Sequence, residues 1–270
     1  MNWKNHATAV VVALLLFALA ALPAEAASYE LPVTHKTAFD KMTEAAGSAL
    51  KAKLSKQYAD FLALQQQDQN RDQEMKTLQQ ANNDALDDVR RQIKLIDAEP
   101  IERLRKQAES TKERYKPLLE MYTAVNQQIA AFKPLKNKEL NTMLSLQAAS
   151  MKVPVQLAKQ DIKAKESALQ TAKASATAKQ KKVRDALEAI EPLKDKIKTE
   201  KASASRVKKW LDEDWKTFKP IVKQGDAAGS AQSLTTLLSR LGQIVSHKQA
   251  VCELEKKIGT VIAKAKTQIP

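Results

Sequence analysis

The sequence predicts an all-α protein: an elongated antiparallel coiled-coil helical bundle built from long helices kinked at proline. Three observations predict it. No glycine occurs from residue 48 to residue 224, a run of 177 residues, so the commonest helix terminator is missing from most of the chain. Ala, Lys, Gln, Glu and Leu dominate, without the β-branched runs that announce strands. Apolar residues recur at alternating steps of three and four, the spacing that lays a stripe along one helix face.

The chain opens with Lys4, an uncharged apolar run from Ala7 to Leu22, then Pro23 and the small-x-small triplet Ala24-Glu25-Ala26. This is the layout of a secretory signal peptide over residues 1–26, with cleavage before Ala27. The apolar run falls short of the ~20 residues a membrane-spanning helix needs. No cysteine follows the cleavage site, which argues against a lipid anchor. The chain's single cysteine, Cys252, excludes an internal disulfide despite an oxidising destination. Burial in a helix seam is its expected role, with an intermolecular disulfide as the alternative.

Residues 27–33 are expected to be extended, with Thr34 capping a first helix over about 34–97. Its stripe begins with Phe39, Met42, Ala46 and Ala49 and resumes with Met75, Leu78, Ala85, Val89, Ile93 and Ile96. Between lies QQQDQNRDQE, residues 65–74, which has no apolar residue. It reads as helix running past its partners into solvent, or as a helix-to-helix turn.

A second helix is expected over about 100–152. It starts at Pro100, which suits a first turn, and carries a stripe from Ile101 through Ala108, Tyr115 and Val125 to Phe132. Val153-Pro154 is expected to separate it from a third, over about 155–223. There the alternation holds from Val155 to Ile221, and sixteen of twenty positions are apolar, a repeat long enough to imply a coiled coil. KQGDAAGS, residues 223–230, reads as a loop, with Ser230 capping a C-terminal helix over 231–268. That helix carries Leu234, Leu237, Leu241, Ile244, Lys248, Val251, Glu255, Ile258, Ile262 and Ala265 in the same alternation, eight of the ten apolar.

Proline recurs in similar surroundings at 100, 117, 134, 154, 192 and 220. Pro117, Pro192 and Pro220 each fall between two stripe residues three apart, and so on the outer face. An interior proline removes a backbone hydrogen bond and costs about 3 kcal/mol. The stripe nevertheless passes through Pro117 and Pro192 in phase, which predicts bent helices with convex outer faces. The alternative is a fresh helix after each proline, chiefly at Pro134 and Pro154. In outline such a curved basic bundle resembles the membrane-curving BAR-type domains. That resemblance is one of architecture and covers no sequence motif, and the export signal departs from that largely cytoplasmic family.

Formal net charge is +14, unevenly spread. Residues 27–99 hold 10 Lys/Arg against 12 Asp/Glu, and residues 100–270 hold 34 against 18. A basic body outside the cytoplasm suits an anionic envelope polymer or an anionic lipid surface. Basic charge alone also binds nucleic acid without sequence preference, but export makes that a poor fit, and 4% aromatic residues are too few for base-stacking platforms. Self-association or a partner helix would use the same stripes.

Catalytic chemistry finds no foothold. HExxH, CxxC, GxSxG and phosphate-cradling glycine loops are all missing. His247 and Cys252 are five residues apart and diverge by about 140° on a helix, too far for a nucleophile and its base. Asp87-Asp88 and Asp212-Glu213-Asp214 sit in helical segments where adjacent carboxylates diverge. The chain is therefore expected to be a non-enzymatic, envelope-associated scaffold, spacer or adaptor without cofactor, metal or small-molecule substrate. The alternative is a membrane-remodelling or pore-forming helical protein. The residues expected to hold the anionic surface are Lys163, Lys173, Lys181, Lys182, Lys208 and Lys209. Trp210 stands beside the stripe as an anchor, and Trp215 is expected to pack in the bundle.

Overall fold

A computed structural model describes residues 29–135 and 137–270. The predicted signal peptide, residues 1–26, and residues 27 and 28 of the predicted extended segment lie outside them. Among the described residues every regular element is a helix: α1 (Val33–Ala45), α2 (Ser48–Leu95), α3 (Ala98–Phe132), α4 (Lys138–Leu187), α5 (Ile190–Lys223) and α6 (Ala227–Lys266). A short 3-10 turn, Lys133–Leu135, stands between α3 and α4.

Helix ends depart from the sequence reading in five places. Thr34 does not cap α1; the Pro32 carbonyl accepts the His35 and Lys36 amides at 2.8 and 2.9 Å, which puts Thr34 inside the first turn. The first predicted helix is two, because Ala46 turns extended and Gly47 separates α1 from α2. The break resets the phase: Ala49 is exposed, and Leu54 is buried instead. The stripe near the other end of α2 likewise buries Leu86 and leaves Ala85 outside.

The predicted junction at Val153-Pro154 does not exist, since α4 runs through Pro154. Chain reversal occurs earlier, at the 3-10 turn that holds Pro134, and α4 starts where Asn137 Oδ1 accepts the Leu140 amide at 3.1 Å. Pro154 is exposed, so its lost hydrogen bond leaves no buried orphan. Leu144, Ala148, Met151, Val155 and Ala158 stay covered on one face across it. The third predicted helix is interrupted at Glu188 and Ala189, which places Pro192 in the first turn of α5, where a missing amide costs nothing. Finally, Asp226 rather than Ser230 caps α6, its Oδ1 accepting the Gly229 amide at 2.9 Å. Ser230 is buried, with its hydroxyl 3.4 Å from the Met42 sulfur. Gly225 makes the preceding turn at φ +75°, a conformation that favours glycine.

The stripes themselves are where the sequence put them in the later helices. All twenty positions from Val155 to Ile221 are buried or half-buried, as are the ten of α3 and the ten of α6. Pro117, Pro154 and Pro220 lie within helices and are exposed.

The described chain forms two compact units. The first comprises 29–76 and 198–252. In it α2 runs parallel to α6, as Gln57 to Thr235 and Asp68 to Lys248 show, and α5 opposes α6 through Asp214 to Arg240 and Glu200 to His247. Three helices surround one core of Leu54, Phe61, Leu211, Phe218, Leu234, Leu237 and Leu241, joined by Phe39 and Met42 of α1. Phe61 stacks on Trp215 with ring centroids 5.5 Å apart, and Tyr29 meets Trp215 edge-on at 5.7 Å.

The second unit comprises 77–197 and 253–270. Its largest feature is an antiparallel hairpin of α3 and α4, in register through Asp97 to Lys179, Lys112 to Glu166 and Arg114 to Asp161. Asp97, at φ 54°, lies in the turn after α2 and immediately precedes α3; aspartate is among the few residues that tolerate the left-handed region.

Candidate anion-binding surface

The polar stretch 65–74 corrects the reading of a solvated overhang. It is helical, and one face of it, through Gln65, Asp68, Arg71 and Glu74, is buried or half-buried while the rest is exposed. Gln65 is buried; its Oε1 accepts the Tyr29 amide at 2.8 Å, and its Nε2 donates to the Tyr29 carbonyl at 3.3 Å. Lys248 of α6 reaches Asp68 at 2.6 Å and Asp72 at 2.8 Å with its side chain 15% exposed. Together they make a short polar seam in the first unit, and Cys252 is buried beside it with its sulfur 4.0 Å from the Arg71 carbonyl. His247 meets Glu200 at 2.6 Å and is committed to that structural pair rather than to Cys252. The Tyr29 hydroxyl donates to the Asp212 carboxylate. Burial first, and that hydrogen bond second, hold its pKa well above the ordinary tyrosine value.

The seven residues expected to meet an anionic surface are exposed. Lys163 and Lys181 are eighteen residues apart, five full turns, and share one face of α4; Lys173 and Lys182 lie about 80° and 100° to either side. Lys181 is partly neutralised by Asp185 at 2.6 Å, a contact that raises its pKa. Lys163, Lys173 and Lys182 have no carboxylate at ion-pair distance among the described residues, nor do Lys208 and Lys209 of α5. Those first four lysines belong to the second unit, and Lys208, Lys209 and Trp210 to the first. Trp210 is 41% exposed, with the Arg240 guanidinium 5.0 Å over its ring, and Trp215 lies in the aromatic core.

A cleft of about 420 Å³ in the second unit is lined by four apolar residues, Leu86, Ile93, Leu187 and Ile190, and by the charged Arg90, Lys94, Arg184, Lys194, Glu188 and Glu191. Its cations are partly satisfied, Lys194 by Glu191 at 3.2 Å and Arg90 by Asp87 at 3.3 Å.

Sequence reasoning missed the distal part of the hairpin. Met121, Leu135, Met143, Leu146, Val153 and Leu157 are each more than half exposed. A signal was present: Met143, Leu146, Ser150, Val153 and Leu157 repeat the three-four alternation one face away from the covered stripe.

Among the described residues no group of His, Cys, Asp and Glu is placed to hold a metal ion, and no helix is long and apolar enough to cross a membrane. Fold and surface define a helical-bundle protein with exposed lysine-bearing helices. Comparison with protein-family models, curated proteins and solved structures finds no match.

Proposed function

We propose that this is an exported, non-enzymatic coiled-coil protein of the cell envelope that holds an anionic surface through its basic helices and serves as scaffold, spacer or adaptor. One observation carries the reading: the exposed lysines of α4 stand on a long helix with few carboxylates beside them. Residues 152–184 hold nine Lys/Arg against two Asp/Glu. Each cation brought near an anionic membrane surface contributes about 1 kcal/mol, and the attraction fades within a Debye length.

The coiled coil supports the role by keeping the lysine rows in a fixed position relative to a covered seam. The phase held through Val183, Ile190 and Ile197 supports such a seam across the α4–α5 interruption. Pro117, Pro154 and Pro220, exposed within helices, then act as outer-face bends.

Co-sedimentation of the purified protein with isolated envelopes and anionic vesicles tests the reading. Binding at low salt, lost at high salt and weakened at least about tenfold by Lys163→Glu, Lys173→Glu and Lys182→Glu together, is the expected result. No binding at low salt would reduce the basic surface to a solubility feature and move the search to a protein partner.

A further inference from the structure

We infer that the distal part of the α3–α4 hairpin is a lipid-contacting tip, which seats Met143, Leu146, Val153 and Leu157 in the interfacial layer of an anionic bilayer. The inference rests on the anionic-surface reading and names the surface as lipid rather than polymer.

Geometry is the first ground. Along α4 the covered face runs through Leu144, Ala148, Met151, Val155 and Ala158. The exposed row of Met143, Leu146, Val153 and Leu157 lies about 140° from it. Burying the exposed row therefore leaves the contact with α3 intact. Met121, three turns before the end of α3, and Leu135 in the 3-10 turn add two more exposed apolar side chains to the same part of the hairpin. Six of the ten large apolar residues exposed in the described chain thus fall within residues 121–160, a concentration that marks a contact surface rather than ordinary scatter.

Charge is the second ground, and it selects the occupant. Residues 121–160 contain five lysines and one acidic residue, Glu139, whereas the remaining 50 residues of 98–187 contain eight acidic ones. A second copy of this tip would bring the same positive charge, which opposes self-pairing across the row. An anionic bilayer offers both complements, acyl chains for the apolar row and headgroups for Lys138, which lies about 95° round α4 from the row and whose long stem lets the ammonium reach the headgroup layer. The chemistry asks for immersion in the interface and no spanning helix. Glu139 lies one turn before Met143 on the same row and is the one local group that opposes approach to anionic lipid.

The test compares vesicles of mixed phosphatidylglycerol and phosphatidylcholine with polyphosphate, an anion that has no acyl chains. The variant carries Met143→Gln, Leu146→Gln, Val153→Gln and Leu157→Gln, and circular dichroism checks its helix content. The expected result has three parts: a salt-resistant fraction of wild-type protein bound to the vesicles, its loss with binding at least about tenfold weaker in the variant, and unchanged affinity for polyphosphate. Glu139→Gln should strengthen vesicle binding. Equal vesicle binding by wild type and variant overturns the inference. So does a variant that binds vesicles normally but loses a dimer seen by analytical ultracentrifugation, which would make the occupant a second copy. Wild-type protein that binds polyphosphate but not vesicles ends the lipid tip and leaves the anionic-surface reading standing; protein that binds neither overturns both.

Discussion

Compare where the two units keep their large side chains. Of the twelve largest fully buried ones among the described residues, ten lie in the first unit, including Phe61, Phe218 and five leucines, and only Val89 and Val183 in the second. Of the ten large exposed apolar residues, seven lie in the second unit. The reason is the number of neighbours. In the first unit α2, α5 and α6 close a seam from three sides, so phenylalanine and leucine can be wrapped completely. In a hairpin each helix faces one partner, so small residues such as Ala108, Ala158 and Ala176 line the contact and larger ones at other azimuths stay outside. The first unit wraps most of its large side chains, and the second leaves more of them exposed.

Core truncation tests that contrast most severely. Phe61→Ala should cost about 3–5 kcal/mol, and Val183→Ala about 2 kcal/mol or less, in urea denaturation followed by circular dichroism. Equal losses would break the comparison. The polar seam comes next: Lys248→Met leaves Asp68 and Asp72 facing each other without their cation and should cost about 2–3 kcal/mol. An effect near zero would mean that the first unit depends on its apolar core alone.

Alkaline pH gives a smaller and graded test of the same unit. Burial and the bond to Asp212 raise the Tyr29 pKa above that of the unfolded chain, and burial raises that of Tyr58. Folding thus favours the neutral phenols. Their contribution is complete below the unfolded value of ~10 and is lost as pH rises above it, at up to about 1.4 kcal/mol per pH unit for each proton. Tyr29→Phe should flatten the decline; an unchanged slope would remove Tyr29 from the account. Smallest is Asn137→Ala, which removes the α4 cap for about 1 kcal/mol. Its effect should appear as faster amide exchange in the first turn of α4, with exchange in the first unit unaltered.

Legibility in the sequence followed the same contrast. The stripes of α3, α5 and α6 could be read residue by residue, because a face that repeats every seven residues has one way to be hidden. The polar stretch 65–74 could not, since its partners Tyr29 and Lys248 are distant in the chain and nothing local tells a buried glutamine from a solvated one. Pro154 misled for a related reason. A proline reads as a boundary until the covered row through Met151 and Val155 is seen to continue past it, and the reversal in fact falls to Pro134 and Asn137. The lysines of α4 were legible as exposed, but the apolar row beside them was not, because Met143 and Leu146 look like core residues when no neighbour count is known.

By itself the sequence determined that the described chain is helical, which residues form the seams from Ile101 to Phe132 and from Val155 onward, and that its charge is concentrated after residue 100. These follow from local periodicity and composition, which need no knowledge of distant contacts. Only the tertiary structure decided which seams are closed by three helices and which by two, and that Gln65, Lys248 and Tyr29 are inside while Leu146 and Val153 are outside. Burial is a property of neighbours, and neighbours in space are set by how the helices reverse and pair.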